Sequence, residues 1–162
     1  MRRYLAPVLA LAAFLAAGTA SGEVLQRYST GMWTIEATAD NGAFRHCSAT
    51  GQYGGGSAVI FLLTRDFSWA IGITNPRWNW RKGSEARMSY WIDSYGRRSA
   101  KVEALSPTQL GMPLADSQQL FQEIRGGNKM YFEPEGAEGF SITLIGTSVG
   151  LNELLSCVRR HR

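Results

Sequence analysis

The sequence predicts a mainly β protein: an antiparallel β-sandwich or partly closed barrel of about eight strands with two short helices, the last at the C-terminus. Three observations support this prediction. Apolar and polar residues alternate in short runs along most of the chain. Tight turn signals separate these runs, and no helical pattern lies between the first six strands. Strands joined by tight turns are antiparallel, which disfavours a parallel α/β fold.

The start of the chain has the pattern of a secretory signal peptide over residues 1–22. It begins with Arg2 and Arg3, continues with the apolar residues 5–17 and ends on small residues that suit cleavage. The apolar run is short and rich in alanine for a membrane span, although an uncleaved anchor is the alternative. We therefore expect a periplasmic or secreted protein with one β-rich domain over residues 23–162 and no transmembrane segment after cleavage.

The charge of the chain gives no support to a nucleic-acid partner. The formal charge of +4 falls to +2 when Arg2 and Arg3 are removed with the signal peptide. The remaining arginines are scattered and form no basic stripe, so no specific nucleic acid is expected. About 140 residues remain after cleavage, which is enough for one domain with a substantial core.

The N-terminal half is predicted to form hairpins after a polar lead-in at residues 23–30. Asp40-Asn41-Gly42 supplies the positive φ angles of the first turn. The glycine-rich residues 51–57 are expected to form a flexible loop without a phosphate site, because neither a Lys-Ser/Thr pair nor a helix follows. Alternate residues from Phe67 to Ile73 share one strand face. The predicted strands are residues 32–38, 44–50, 59–64 and 67–74.

The C-terminal half contains the other predicted strands and the first helix. Residues 106–114 are expected to form a connection. Asp116 and Gln119 suit a capping box for a helix that Gly126-Gly127 ends. The predicted strands are residues 87–93, 99–105, 128–132 and 140–144.

The last helix is predicted from an apolar stripe with helical spacing. The stripe comprises Leu151, Leu154, Leu155 and Val158. Thr147 or Ser148 can cap this helix, since a hydroxyl accepts hydrogen bonds from the first free backbone N–H groups. Cys157 flanks the stripe, so its sulfur should point towards the surface on which the helix packs.

The two cysteines, Cys47 and Cys157, are predicted to form a disulfide, because two cysteines in an exported chain usually pair. The alternative is two separate buried thiols. They lie 110 positions apart, and the chain-entropy model gives such a bond about 4 to 5 kcal/mol of stabilisation. The bond would tie the last helix to an early strand.

The C-terminal third shows an ordered set of motifs: a helix, a glycine turn, a strand pair and a second helix. The motifs are Phe121-x-x-Ile124, Gly126-Gly127-x-Lys129 and Phe140-x-Ile142-x-Leu144-x-Gly146-Thr147-Ser148-x-x-Leu151-x-x-Leu154. Together with the Trp33 strand and Cys47, they make the chain resemble the invasion-associated locus B family of small exported alphaproteobacterial proteins. The resemblance implies a β-rich protein tied to the cell envelope or to host contact. It transfers no catalytic residue.

No catalytic, cofactor or metal motif stands out in the sequence. His46 with Asp66 or Asp93 and Ser68 is a conceivable triad, but no nucleophile elbow accompanies these residues. Two distant histidines and two pairing cysteines do not form a metal-ligand cluster. We therefore predict no catalysis, no cofactor and no metal, with a small secreted hydrolase using His46 as the alternative.

The candidate ligand-binding residues are Arg77, Trp78, Asn79, Trp80 and Arg81. Alternation places both indole rings on one side, where exposed rings would form a stacking surface for sugars, peptides or an anionic polymer. This hypothesis requires both rings to be more than half exposed. The alternative is that both fill the core.

The function predicted from the sequence is a binding or protein-interaction module of the cell envelope or of host contact. Its partner would be a protein or an envelope polymer. A second alternative, an inhibitor of a secreted enzyme, requires a protruding loop, for which residues 51–57 are the candidate.

Overall fold

The computed structural model describes residues 22–115 and 117–162, so the predicted signal peptide lies almost entirely outside the described residues. Within these ranges the chain forms ten β-strands and two α-helices. The strands are β1 (Glu23–Thr30), β2 (Trp33–Asp40), β3 (Ala43–Gln52), β4 (Ala58–Thr64), β5 (Trp69–Thr74), β6 (Glu85–Ile92), β7 (Arg98–Ser106), β8 (Gln109–Pro113), β9 (Lys129–Pro134) and β10 (Phe140–Thr143). The helices are α1 (Gln118–Gly126) and α2 (Thr147–His161).

The strands of the described chain belong to a single sheet, in the order β1-β2-β3-β4-β5-β8-β7-β6-β9-β10. Every neighbouring pair is antiparallel. β1 and β10 are the two edges, so the sheet is not closed into a barrel. The predicted mainly β, antiparallel fold with its last helix at the C-terminus is confirmed, with ten strands where the sequence indicated about eight.

One face of the sheet carries a continuous apolar core, which we call the inner face. On β2, Trp33, Ile35 and Ala37 are buried, whereas Thr34 and Glu36 between them point to the opposite, outer face. The same alternation continues along the central strands, because side chains one residue apart leave a sheet on opposite sides. α2 packs across β2, β3 and β4, and α1 packs against α2.

A disulfide between Cys47 and Cys157 fixes α2 to the sheet, as the sequence predicts. Cys47 lies on β3 and Cys157 in α2, and their Cα atoms are 6.2 Å apart. Both residues are fully buried. The bond therefore joins the C-terminal helix to an early strand from inside the core.

The contact between α2 and β2 depends on Gly150. A Cβ atom at this position would lie 2.6 Å from Cγ of Trp33, closer than a real Cβ can approach. The Trp33 indole also donates a hydrogen bond from Nε1 to the Gly146 carbonyl, at 3.2 Å. Gly150 thus allows the helix to lie directly on the Trp33 ring.

Two strands were not predicted from the sequence. The predicted lead-in, residues 23–30, is β1, and part of the predicted connection 106–114 is β8. β1 is an edge strand that is mostly exposed on both faces, so it lacks the alternation by which strands are recognised. β8 is short, contains Gly111 and ends on Pro113, and both residue types are depleted in strands.

The β4–β5 turn also differs from the prediction. Phe67 has a φ angle of +64° and lies in the β4–β5 turn, so it does not share a strand face with Trp69. Its amide donates to the Thr64 carbonyl at 3.0 Å, which closes this turn.

Both helix starts differ from the predictions as well. The Ser117 hydroxyl caps α1 by accepting from the Leu120 amide at 3.2 Å, and Asp116 lies outside the described residues. Gly146, with a φ angle of +82°, precedes α2 and provides no side-chain cap, so neither Thr147 nor Ser148 is the N-cap residue.

Candidate functional site

The most distinctive surface of the described chain is an apolar groove on the outer face, between β4 and β7. Its side walls are Ile60 and Leu62 on β4 and Leu105 on β7, and its floor is Gly72 on β5 and Gly111 on β8. We call this groove the outer trough. It has a volume of about 600 Å³ and is open to solvent.

Strand register explains why these residues meet. Ile60 lies opposite Gly72, and Gly72 lies opposite Gly111 on the next strand. Cross-strand neighbours share one face of a sheet, and strands lie about 4.8 Å apart. Two floor positions without side chains therefore lie side by side, with Ile60 on one side and Glu103 and Leu105 on the other, which creates the depression.

The backbone and the packing at Gly72 leave room for a Cβ atom. Its φ angle is not positive. A Cβ atom at this position would lie 3.7 Å from Cβ of Ile60, which is ordinary van der Waals contact. Glycine inside a strand costs conformational entropy and often marks a place where another molecule approaches closely. Because Gly72 has no side chain, the floor of the trough stays open.

Leu105 covers part of the trough because β7 contains a β-bulge. Ala104 pairs with Leu110 and Ser106 with Gln109, so Leu105 is the extra residue of β7. A bulge can re-aim a side chain, and Leu105 leans over Gly111. A Cβ atom at Gly111 would lie 2.9 Å from Cδ1 of Leu105. Leu105 nevertheless remains 44% exposed.

One end of the trough is acidic. Glu103 lies directly opposite both Gly111 and Glu85, so two carboxylates face each other across neighbouring strands. Like charges in directly opposed positions destabilise a sheet. Lys101 pairs with Glu85 at 2.7 Å, whereas no salt bridge joins Glu103 to any described residue. The trough therefore ends at a carboxylate that has no salt-bridge partner among the described residues.

The predicted site at residues 77–81 lies elsewhere, in the loop between β5 and β6. Trp78 is only 4% exposed, so the expectation of two exposed rings is wrong for this residue. Its Nε1 donates to the Glu138 carbonyl at 3.2 Å, and its ring packs edge-on against Phe140. Trp78 closes one end of the core, which is the alternative that the sequence left open.

The other residues of this loop do not restore an aromatic platform. Trp80 is partly buried and meets Trp78 edge-on, with ring centroids 6.4 Å apart. Arg77 pairs loosely with Glu138, at 3.5 Å, and Asn79 and Arg81 are exposed. Only polar side chains and part of one ring are thus available here.

His46 lies on β3 opposite Thr64, and its conceivable triad partners make other hydrogen bonds. Asp66 accepts hydrogen bonds from Thr64 and Ser68 within the β4–β5 turn. Asp93 accepts from the backbone amides of Asn128 and Lys129 at 2.9 Å. Burial lowers the pKa of His46, and the neighbouring Arg45 lowers it further. No hydrogen bond links His46 to a serine or carboxylate in the parts of the chain that the structure describes.

Residues 51–57 do not form a protruding loop. Gly51 and Gln52 belong to β3, and Gly54–Gly56 forms a single 3₁₀ turn. The Tyr53 amide donates to the Ser57 carbonyl at 2.8 Å and closes the connection. An inhibitor role would need a longer projection than this.

A further aromatic pair on the outer face is already covered. Trp91 and Tyr131 stack across β6 and β9 with centroids 5.0 Å apart. The Arg97 guanidinium lies over the Trp91 ring, 3.8 Å from its centroid, and makes a cation–π interaction with it. These rings therefore support the sheet and offer little free face for a ligand.

The described residues contain no group of three or more His, Cys, Asp or Glu side chains placed to hold a metal ion. Neither helix of the described chain is long and apolar enough to cross a membrane.

Sequence reasoning did not find the outer trough. The alternation of residues 67–74 does show that Ala70, Gly72 and Thr74 share a face, which is a weak signal of a flat surface. The decisive feature is the pairing of Gly72 with Gly111, and this required β8 to be recognised as a strand.

The chain was also compared with known proteins. No family model, no curated protein and no solved structure matches it. The resemblance to the invasion-associated locus B family thus stays a prediction, and the case for a site depends on geometry.

Proposed function

We propose that this protein is an exported binding module that engages a partner through the outer trough and carries out no catalysis. A partner could be a protein or an envelope polymer, as the sequence analysis expects. The resemblance to the invasion-associated locus B family supports a role at the cell envelope or in host contact. The signal-like residues 1–22 and the buried disulfide support export, since disulfides persist in oxidising compartments.

The observation that carries this proposal is the concentration of three local irregularities in one place. Gly72 faces Gly111, Glu103 faces Glu85, and Leu105 is a bulged residue. Glycine in a strand and directly opposed like charges each destabilise a sheet, and a bulge interrupts its hydrogen-bond ladder. Natural sequences tend to break local rules at functional positions, and here the three breaks surround one apolar groove.

Binding of Nile red, a neutral apolar dye, tests whether the trough accepts a ligand. We expect saturable fluorescence enhancement with the wild-type protein and its loss with Gly72→Val, which fills the floor. Thr34→Ile is the matched control, because it adds apolar bulk to the outer face on β2, outside the trough.

Equal dye affinity in wild type and Gly72→Val would contradict the proposal. Far-ultraviolet circular dichroism of both variants checks that they remain folded. A loss of dye binding in Thr34→Ile as well would show that the dye reports a general surface property, and it would also count against the trough.

A further inference from the structure

We infer that the partner recognised by the outer trough is a protein segment that presents a bulky apolar side chain next to a lysine or arginine. This inference rests on the proposed function and specifies its partner. It follows from the charge at the end of the trough and from the shape of the trough.

The charge argument begins with Glu103. Its carboxylate stands beside the apolar floor, one strand away from Gly111. The nearby cation, Lys101, is held by Glu85 on the other side of Glu103. A partner that brings its own cation would relieve the repulsion between the two carboxylates, whereas a partner with an anion would increase it.

This arrangement argues against two other classes of ligand. A fatty acid would bring a carboxylate to a groove whose charged lining is Glu85, Glu103 and a Lys101 that is already paired with Glu85. An anionic polymer would need free cations at the groove, and Lys101, the cation that lines it, is paired with Glu85. The acidic end therefore favours a cationic partner with an apolar group close to its charge.

The shape of the trough favours a protein segment over a small molecule. Small-ligand sites usually bury most of the ligand in a concave pocket. The outer trough is instead an open groove, two strands wide at its floor. One bulky side chain can enter between Leu62 and Leu105 while the rest of the segment lies along the surface. A cation one or two residues away along an extended segment then reaches Glu103, because residues rise about 3.3 Å each.

A phage-displayed library of random seven-residue peptides tests this inference on the purified, oxidised protein. Wild type should enrich peptides that carry Leu, Ile, Met or Phe within two residues of Lys or Arg. The same selection on Gly72→Val should lose this enrichment, whereas Thr34→Ile should keep it.

The outcomes separate the inference from the proposed function. Enrichment of acidic or uncharged apolar peptides that disappears in Gly72→Val would overturn the basic partner and leave the trough as the binding site. No enrichment, or enrichment that Gly72→Val leaves unchanged, would overturn both.

The charge of Glu103 gives an independent measurement. Glu103→Gln should weaken binding of a selected synthetic peptide about two- to fivefold, the range expected for an exposed ion pair. The variant should also remove most of the salt dependence of the affinity. Glu23→Gln, which removes an exposed carboxylate on β1, is the control and should bind like wild type. Equal affinity and equal salt dependence for Glu103→Gln and wild type would contradict the inference.

Discussion

Gly150 and Gly72 both lie inside regular elements, where glycine is unfavourable, but the structure accounts for only one of them through packing. Gly150 lies against Trp33 at the junction of α2 and the inner face, and a Cβ atom would overlap the indole ring. Gly72 lies on the outer face, and a Cβ atom there would fit. The inner face thus uses glycine to complete the core, whereas the outer face uses it to leave space.

The same contrast holds for charges on the two faces. Glu123, a buried residue of α1, is paired with Arg98 and accepts a hydrogen bond from Gln119 at 2.8 Å. Glu103 on the outer face opposes another carboxylate and has no cation of its own among the described residues. On the inner face, packing explains Gly150 and an ion pair stabilises Glu123, so both residues serve the fold. On the outer face, no such contact in the described chain explains Gly72 or Glu103, and this face is the better candidate for binding.

The largest expected effect comes from removing the disulfide that holds α2 on the inner face. The variant Cys47→Ala/Cys157→Ala should lose about 4 kcal/mol of unfolding free energy, because the unfolded chain is no longer cross-linked. Urea unfolding of wild type and variant, each with and without reductant, measures this loss. Reductant should destabilise wild type and leave the variant unchanged. A loss below about 1 kcal/mol would show that α2 is held by packing alone.

The next effect concerns the junction that Gly150 makes possible. Gly150→Ala should lower the unfolding free energy by about 1 to 3 kcal/mol, because the new methyl group displaces the Trp33 ring. Gly126→Ala is the matched control, since it lies in α1 with no atom near its missing Cβ. The control should be neutral or slightly stabilising, as alanine favours helices. A stabilised Gly150→Ala would contradict the close packing described above.

A smaller, pH-dependent effect is expected at the buried carboxylate of Glu123. The pKa of this carboxyl is held below the ordinary value of 4.5, chiefly by its hydrogen bond and ion pair with Arg98. The hydrogen bond from Gln119 lowers the pKa further. The folded state therefore favours the charged form. Its contribution is complete above pH 4.5 and is lost as the pH falls through the lower folded-state pKa.

Glu123→Gln measures this contribution. The variant should be less stable than wild type by about 1.5 kcal/mol at pH 7, the size of a charge-assisted hydrogen bond. The difference should shrink as the pH falls below 4.5. Urea unfolding at several pH values provides the measurement, and a difference that stays constant with pH would contradict the charge-based explanation.

The elements that sequence reasoning predicted are those whose signal is local. Trp33 and Ile35 alternate along β2, and Leu151 and Leu154 have helical spacing in α2. The Cys47–Cys157 bond was predicted as the one pairing available in an exported chain. Each of these inferences needs only a short window of sequence or a count of cysteines.

The features that sequence reasoning missed depend on which strands become neighbours in the sheet. Alternation placed Trp78 and Trp80 on one side but could not show that Trp78 points into the core. The trough needs Gly72 to lie opposite Gly111, and Gly111 belongs to β8, a strand with weak propensity. Register between strands distant in sequence is set by the whole core, so it is not visible in either segment alone.

The smallest change in unfolding free energy is expected for Gly72→Val. Measuring it tests most directly the claim that this glycine serves binding rather than the fold. We predict that the variant is more stable than wild type by about 0.5 to 1 kcal/mol, because a β-branched residue suits a strand and the unfolded chain loses freedom. A variant less stable than wild type would contradict this claim, since it would show that the fold itself requires glycine at the floor of the trough.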